Sequence, residues 1–235
     1  MNGDEQRRRG PWLFAPLGMG FILALAIAGL LVIGLVALDA LFYVYHRIGI
    51  SIGWMAVILA AALLGSMINI PVARLPAEIR ETSTTVTVFG VTYRVPLAVR
   101  SGRTTIAVNV GGAIVPSAVA VYLICHDRLQ PGVLLAALIV TVLVFAVARP
   151  VPGVGIVTPP LVPPLAAALA AIWLGGHFVA AAAYVAGTFG TLVGADILNM
   201  PRVRSLQAPM VSIGGAGTFD GVFLTGLAAV LLASL

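Results

Sequence analysis

The sequence predicts an all-α membrane protein with seven transmembrane helices, laid out as a 3+1+3 parallel repeat with broken Pro/Gly-rich spans and a short cytoplasmic β-hairpin. Three observations predict it. Of the residues, 60% are apolar and 9% charged, against about 45–50% and about 25% in ordinary domains. The apolar residues fall into runs near the roughly 20 residues that a bilayer-crossing helix needs. The arginines segregate to alternate ends of those runs. Such a chain lacks the polar surface that a soluble core requires, so its formal charge of +5 bears on topology and not on nucleic acid.

The first span is read at 12–38, with room to extend to 45, after a cytoplasmic tail of residues 1–11. Arg7-Arg8-Arg9 before this run has the look of a signal peptide. The run from Trp12 to Val44 is too long for one and lacks a small-residue cleavage site, so it is read as a retained anchor. The remaining spans are 51–72, 104–125, 132–148, 154–174, 178–199 and 211–234. With the N-terminus in the cytoplasm, eleven arginines fall inside and two, Arg47 and Arg128, outside. That bias follows the positive-inside rule and puts the C-terminus outside, in the inner (plasma) membrane. The single cysteine, Cys125, excludes an intrachain disulfide.

The sizeable loop is cytoplasmic, 73–103. Its Thr85-Val-Thr-Val-Phe-Gly90-Val-Thr-Tyr-Arg-Val-Pro96 alternates β-branched and polar residues around Gly90, the pattern of a hairpin. It reads as a structural loop or as a gate over the cytoplasmic mouth.

Two parts of the chain repeat each other. Gly65-Ser-Met-Ile-Asn69-Ile-Pro71 matches Gly194-Ala-Asp-Ile-Leu-Asn199-Met-Pro201. Val108-Asn-Val-Gly111-Gly112-Ala113 matches Val211-Ser-Ile-Gly214-Gly215-Ala216. Gly18-Met-Gly20 matches Gly153-Val-Gly155 more weakly. Matched spans are four apart and cross in the same direction, which defines a parallel repeat. The domains expected are 12–125 as the first three-span unit, 126–153 as the linker with span four, and 154–235 as the second unit.

The unusual residues collect at the cytoplasmic half. Asn69, Asn109 and Asn199 lie at span ends, Asp196 near the end of span six, and Asp220 inside span seven behind Gly214, Gly215 and Gly217. A carboxylate within a span is costly and marks a functional site by default. Thr158-Pro159-Pro160-Leu-Val-Pro163-Pro164 is expected to break span five, because each proline removes a donor and clashes one turn back. Pro116 is expected to kink span three. Gly187, Gly190 and Gly194 form a small-residue face suited to close packing.

Asp196 and Asp220 admit three readings. They bind a proton, sodium or a metal ion in a carrier; they form the acid–base dyad of an intramembrane aspartyl protease; or they are structural acids bonded to backbone at broken helices. Gly194-Ala-Asp196 resembles the Gly-x-Gly-Asp motif of presenilin-like proteases, with Ala195 in place of glycine and no Tyr-Asp partner motif. His46, His126 and His177 all fall on the outer face, either as a zinc-like site from three loops or as interfacial loop-end residues. No phosphate-binding loop, dinucleotide fingerprint or serine-hydrolase elbow is present.

The motifs Gly65-Ser-Met-Ile-Asn-Ile-Pro71, Asn109-Val-Gly-Gly-Ala-Ile-Val-Pro116, Gly153-Val-Gly-Ile156, Gly194-Ala-Asp196 and Ser212-Ile-Gly-Gly-Ala-Gly-Thr-Phe-Asp-Gly221 resemble a bacterial and archaeal family of multi-pass membrane proteins known as a domain of unknown function. The resemblance covers about residues 50–235. It implies that these residues belong to the family's shared core and supplies no activity.

The function expected is carriage of a small solute or ion, in preference to the protease or to a structural or assembly role. Asp196 and Asp220 are expected to titrate or coordinate, with Asn69, Asn109 and Asn199 as neutral ligands and the 214–217 backbone in close contact. The partners expected are the lipid bilayer and the solute, with no cofactor. Asp220→Asn is expected to abolish uptake into proteoliposomes while the protein stays folded; full uptake by that variant removes Asp220 from the site.

Overall fold

A computed structural model describes residues 19–76, 85–88, 91–94, 103–127, 131–151, 155–206, 210–215 and 221–234. The chain divides into two units, Met1–Ala40 and Leu41–Leu235. Helix α1 (Met19–Arg47) begins in the first and ends in the second. Its Ala-, Leu-, Ile- and Val-rich sequence has no proline to interrupt it, and residues 22–39 are all exposed. The helix stops where glycine allows it to. Gly49 adopts φ 77°, Ile50 N–H donates to the Tyr45 carbonyl at 2.8 Å, and Gly49 N–H donates to that of His46 at 3.1 Å. This pair of bonds closes the helix end with a left-handed residue.

The second unit combines helices with a sheet. Its helices are α2 (Ile52–Gly65), α3 (Val115–His126), α4 (Pro131–Val147), α5 (Val162–Leu174), α6 (Val179–Thr191) and α7 (Gly221–Ala233). A three-stranded sheet takes β1 (Asn69–Pro76), β4 (Arg103–Asn109) and β7 (Met210–Ile213) in the order β1-β4-β7. β1 runs antiparallel to β4, and β4 parallel to β7. Two hairpins complete it: β2 (Thr85–Val88) with β3 (Val91–Arg94), within the loop read as β-branched alternation, and β5 (Arg149–Val151) with β6 (Gly155–Val157).

This overturns the all-α, seven-span expectation and the 3+1+3 plan built on it. Among the described residues, two helical stretches are long and apolar enough to cross a membrane: Ile22–Arg47, 26 residues, and Gly176–Ile197, 22 residues. The others are apolar helical stretches of 10–17 residues; at 1.5 Å per residue even the longest reaches only about 26 Å, short of the roughly 30 Å hydrocarbon core. The apolar text that seemed to complete the spans went elsewhere. Asn69-Ile-Pro-Val, Thr104-Thr-Ile-Ala-Val and Met210-Val-Ser-Ile are strand, where β-branched side chains suit the pleat and backbone groups pair between segments. Hydropathy counts such a strand as readily as a helix.

The prolines act only in part as expected. Pro163 and Pro164 stand in the first turn of α5, and Pro116 in the first turn of α3. A first-turn proline lacks only an N–H that would have no partner there, and its fixed φ suits the turn. Pro159 and Pro160 lie before α5 and outside any helix, so the 154–174 stretch is interrupted there as expected, while Pro163 and Pro164 open the helix that follows; Pro116 sits within the helical run Val110–His126, just after its π turn.

Helix α6 is the centre of the unit. Ala180 to Thr188 are buried without exception, and this run of small side chains lets neighbouring backbones come close. A Cβ on Gly190 would lie 2.6 Å from Val140 Cβ of α4, and one on Gly187 would lie 3.2 Å from the Thr225 carbonyl of α7. One on Gly194 would strike the Thr141 carbonyl. Gly190→Ala is therefore expected to cost about 1–3 kcal/mol through overpacking, read as a lower midpoint of thermal unfolding in detergent. Gly53→Ala, with open space around it, is expected to leave that midpoint unchanged or raise it.

Candidate functional site

Three chain segments converge where the sheet meets the helices. α2 ends at Gly65, and the chain turns through Ser66–Ile68 into β1 at Asn69. β4 arrives from the opposite direction, ends at Asn109 opposite Asn69, and passes into a π-helical turn, Val110–Ile114, which leads into α3. β7 lies alongside β4, with Ser212 opposite Ala107.

Asn109 ties these segments together. It is 1% exposed. Its Oδ1 accepts from Gly112 N–H at 2.8 Å, capping the π turn. Its Nδ2 donates to the Ser66 carbonyl at 2.7 Å and to Asn69 Oδ1 at 3.1 Å. Asn69 Oδ1 also accepts from Ser212 Oγ at 2.6 Å. One amide thus serves a helix end, a π turn and a strand, and through Asn69 a second strand. Glycine makes the approach feasible: a Cβ on Gly111 would strike the Ala62 carbonyl, and one on Gly65 would lie 2.9 Å from Gly111 N.

A second group sits at the end of α6. The helix widens into a π segment, Leu192–Ile197, that carries Asp196. Asp196 is partly buried, and its Oδ2 accepts from Gly214 N–H at 2.7 Å. Gly214 and Gly215 have φ of 80° and 90°, a backbone that side-chain-bearing residues rarely take. A Cβ on Gly214 would also lie 2.6 Å from that of Ala113. Asn199, fully buried, donates Nδ2 to the Gly194 carbonyl at 2.9 Å and accepts from Arg202 Nη1 at 2.7 Å. The Arg202 guanidinium lies over the Phe145 ring at 5.2 Å, a cation–π arrangement.

Beside Asp196 is a cavity of ≈ 120 Å³, lined among others by Gly155, Ile156, Asp196, Met200, Ser212 and Gly215. It is large enough to hold several waters or a small solute. Asp196 and Ser212 are the polar side chains on its wall.

The structure brings together Asn69 with Asn109, and Asp196 with Gly214 and Gly215. It gives the asparagines a different task from the expected one. Asn109 and Asn199 have both ends of their amides bonded within the protein, where they meet backbone groups left by interrupted helices, so they are not open ligands. Asp220 and Gly217 lie outside the described residues, and with them the proposed dyad. Among the described residues no three His, Cys, Asp or Glu come together, so His46, His126 and His177 do not form the zinc-like site; His126 stacks on Tyr122 at 5.1 Å. Sequence reasoning passed over Ser212 and Arg202. The alternation Val211-Ser212-Ile213 was the available signal for the first, and the three-residue spacing from Asn199 for the second.

Asn109→Ala is expected to destabilise the fold by at least about 2 kcal/mol, since it strips hydrogen bonds from buried backbone groups. Ser66→Ala serves as the comparison, because the Ser66 hydroxyl bonds only back to the Leu63 carbonyl at 2.7 Å. Chemical denaturation in detergent reads both.

Neither the curated proteins nor the solved structures hold a match to this chain. A family model does: residues 63–232 of the 235 match the one described as protein of unknown function (DUF1614), a match that takes in the Asn109 knot, Asp196 and its cavity. The chain belongs to the DUF1614 family.

Proposed function

We propose that this protein is a plasma-membrane carrier of a small solute or ion, that Asp196 and Ser212 receive the cargo in the cavity between the π segment and β7, and that the N-terminus is cytoplasmic. The observation that carries the reading is a partly buried carboxylate on the wall of a cavity of ≈ 120 Å³. A carboxylate and a hydroxyl on the wall of a small cavity suit a cation or an amine. The membrane setting is supported by the two long apolar helices, by Arg7-Arg8-Arg9 before the first, and by the outward faces of the shorter helices. Leu134, Leu138 and Val142 on α4, and Leu165, Leu169 and Trp173 on α5, are all exposed. An apolar surface of that extent is at home against lipid.

The geometry also supplies a way to couple binding to movement. Asp196 is bonded to Gly214 N–H, and a hydrogen bond to an ionised acceptor is roughly twice as strong as a neutral one. A cargo that neutralises the carboxylate weakens this link between α6 and β7. Two arrangements that differ in that link would then be biased by the cargo.

One observation favours a second reading. The same bond makes Asp196 an acceptor that holds the Gly214 turn, which is all a structural or assembly protein would ask of it. Asp196→Asn separates the two, because asparagine still accepts from Gly214 N–H but carries no charge. The purified full chain is titrated with sodium, potassium, magnesium and small alkylamines while thermal unfolding is followed. The carrier reading expects at least one of these to stabilise the native protein, and the stabilising concentration to rise at least tenfold in Asp196→Asn, each shift being read against that protein's own ligand-free midpoint. Equal shifts in both proteins, or none in either, leave the structural role.

A further inference from the structure

Asn199 bonds to the π segment at the position that sets its register. In an α-helix the Gly194 carbonyl would accept from the N–H of Leu198, four residues on. Here the Leu198 N–H donates at 2.9 Å to the Val193 carbonyl, one residue further back, which is the i→i+5 pattern of a π turn. The Gly194 carbonyl, released by that shift, accepts from Asn199 Nδ2 at 2.9 Å, also five residues on. A side chain thus supplies the next bond of the wide register. Asn109 does comparable work at the other π turn, where its Oδ1 accepts from Gly112 N–H.

The amide of Asn199 is itself held. Its Oδ1 accepts from Arg202 Nη1 at 2.7 Å, and its backbone carbonyl accepts from Arg202 N–H at 2.9 Å. With the oxygen engaged by a guanidinium, the amide presents its Nδ2 to Gly194 and not the reverse. Helix α4 backs both ends of this chain. The Arg202 guanidinium lies over Phe145, and a Cβ on Gly194 would lie 3.0 Å from Val144 Cβ. Asn199 is fully buried, so bulk water does not compete for either end.

The register decides where Asp196 is carried. A π turn of this kind is an α turn with one residue inserted. Rewound to α, the Leu198 N–H would satisfy Gly194, and the residues beyond would turn by about 100°, the share of one residue. Asp196 lies inside the stretch that rewinds. Met200 and Val203, which line the same cavity, lie beyond it. The Asp196 Oδ2 would then leave the Gly214 N–H, which follows directly on β7. Without the Asn199 amide this rewinding gains a driving force, because it returns a partner to a buried carbonyl.

We propose that Asn199, oriented by Arg202, is the positioning residue of the site: it holds Leu192–Ile197 in the π register and so keeps the Asp196 carboxylate on the Gly214 N–H and at the cavity. The proposal rests on the reading of Asp196 as the working carboxylate. It makes affinity for the cargo depend on a side chain that does not line the cavity.

The experiment follows the Gly214 amide directly. Full-length protein in detergent is labelled with 13C-isoleucine and 15N-glycine, which singles out the glycines that follow isoleucine, Gly34, Gly49, Gly53 and Gly214. Asn199→Leu keeps the size of the side chain and removes both polar ends. In it the Gly214 amide is expected to exchange with solvent about tenfold faster, as the loss of one hydrogen bond to a carboxylate allows, while Gly49 and Gly53 keep their native signals. An unchanged Gly214 amide overturns the proposal. If Asn199→Leu does not fold, Arg202→Met gives the same test: it leaves the amide but frees its orientation, and an unchanged Gly214 amide there overturns the proposal as well. Gly132→Ala is the control for lost stability alone. Its Cβ would strike the Leu174 carbonyl, at the end of α4 away from Phe145. Equal acceleration at Gly214 in this control overturns the proposal, because lost stability then explains both.

The same proteins are titrated with sodium, potassium, magnesium and small alkylamines. An ion or amine that stabilises the native chain is expected to need a concentration about tenfold higher in Asn199→Leu, as for a lost charge-assisted contact, and an unchanged one in Gly132→Ala. An unchanged concentration in Asn199→Leu overturns the positioning role. If none of the probes stabilises the native chain while the Gly214 amide still responds to Asn199→Leu, the hold on the π register stands and the carrier reading of Asp196 falls.

Discussion

A helix that stops inside an apolar fold leaves carbonyls and N–H groups facing a medium that cannot bond them, at a cost of several kcal/mol for each. The whole of the second unit is arranged around meeting that demand at one place. Asn109 reaches the Ser66 carbonyl behind α2, the Gly112 N–H in the π turn and Asn69 on the neighbouring strand, and Asn69 extends the same network to Ser212 on β7. Two of these partners are backbone groups at helix ends, the Ser66 carbonyl and the Gly112 N–H. The side chain that serves them must be short, neutral and able to donate and accept together, which is the description of asparagine.

From that knot the order propagates to the site. β4 is held in register by its ladder with β1 and carries β7 alongside it. β7 ends at Ile213, so Gly214 is delivered to a fixed position, and its N–H finds the Asp196 carboxylate. Asp196 in turn rides on the π segment at the end of α6, whose approach to α4 is set by Gly190 and Gly194. A carboxylate, a hydroxyl and a narrow cavity are thereby fixed by two independent routes, a sheet on one side and glycine-mediated helix packing on the other. The proposed carrier draws on this: the sheet and the helix packing together leave Asp196 and Ser212 on the wall of one cavity.

The residues that matter were legible because they look out of place. Asn69, Asn109, Asp196, Asn199 and the paired glycines are the polar and flexible positions in an apolar chain, and each turns out to hold a junction. The glycine face of α6 was legible for the same reason. Their tasks were not. A polar residue amid apolar ones reads equally as a ligand or as a partner for backbone, and only the atoms around it decide. Asn199 is fully buried with both ends of its amide bonded, so it belongs to the second kind.

By itself the sequence determined an apolar chain with one long exposed helix near its start, a second long helix rich in alanine and glycine, and motifs that had to sit at interruptions. These follow from composition and local chemistry, which do not depend on what lies nearby. The tertiary structure alone decided that Thr104–Asn109 and Met210–Ile213 are strands, that Pro163 and Pro164 open a helix, and that Asp196 meets Gly214. The reason is that strand and helix bury the same apolar side chains and differ in where the backbone finds its hydrogen bonds. A strand finds them on another segment, here tens to more than a hundred residues away in the chain, and no local stretch of text records that partner.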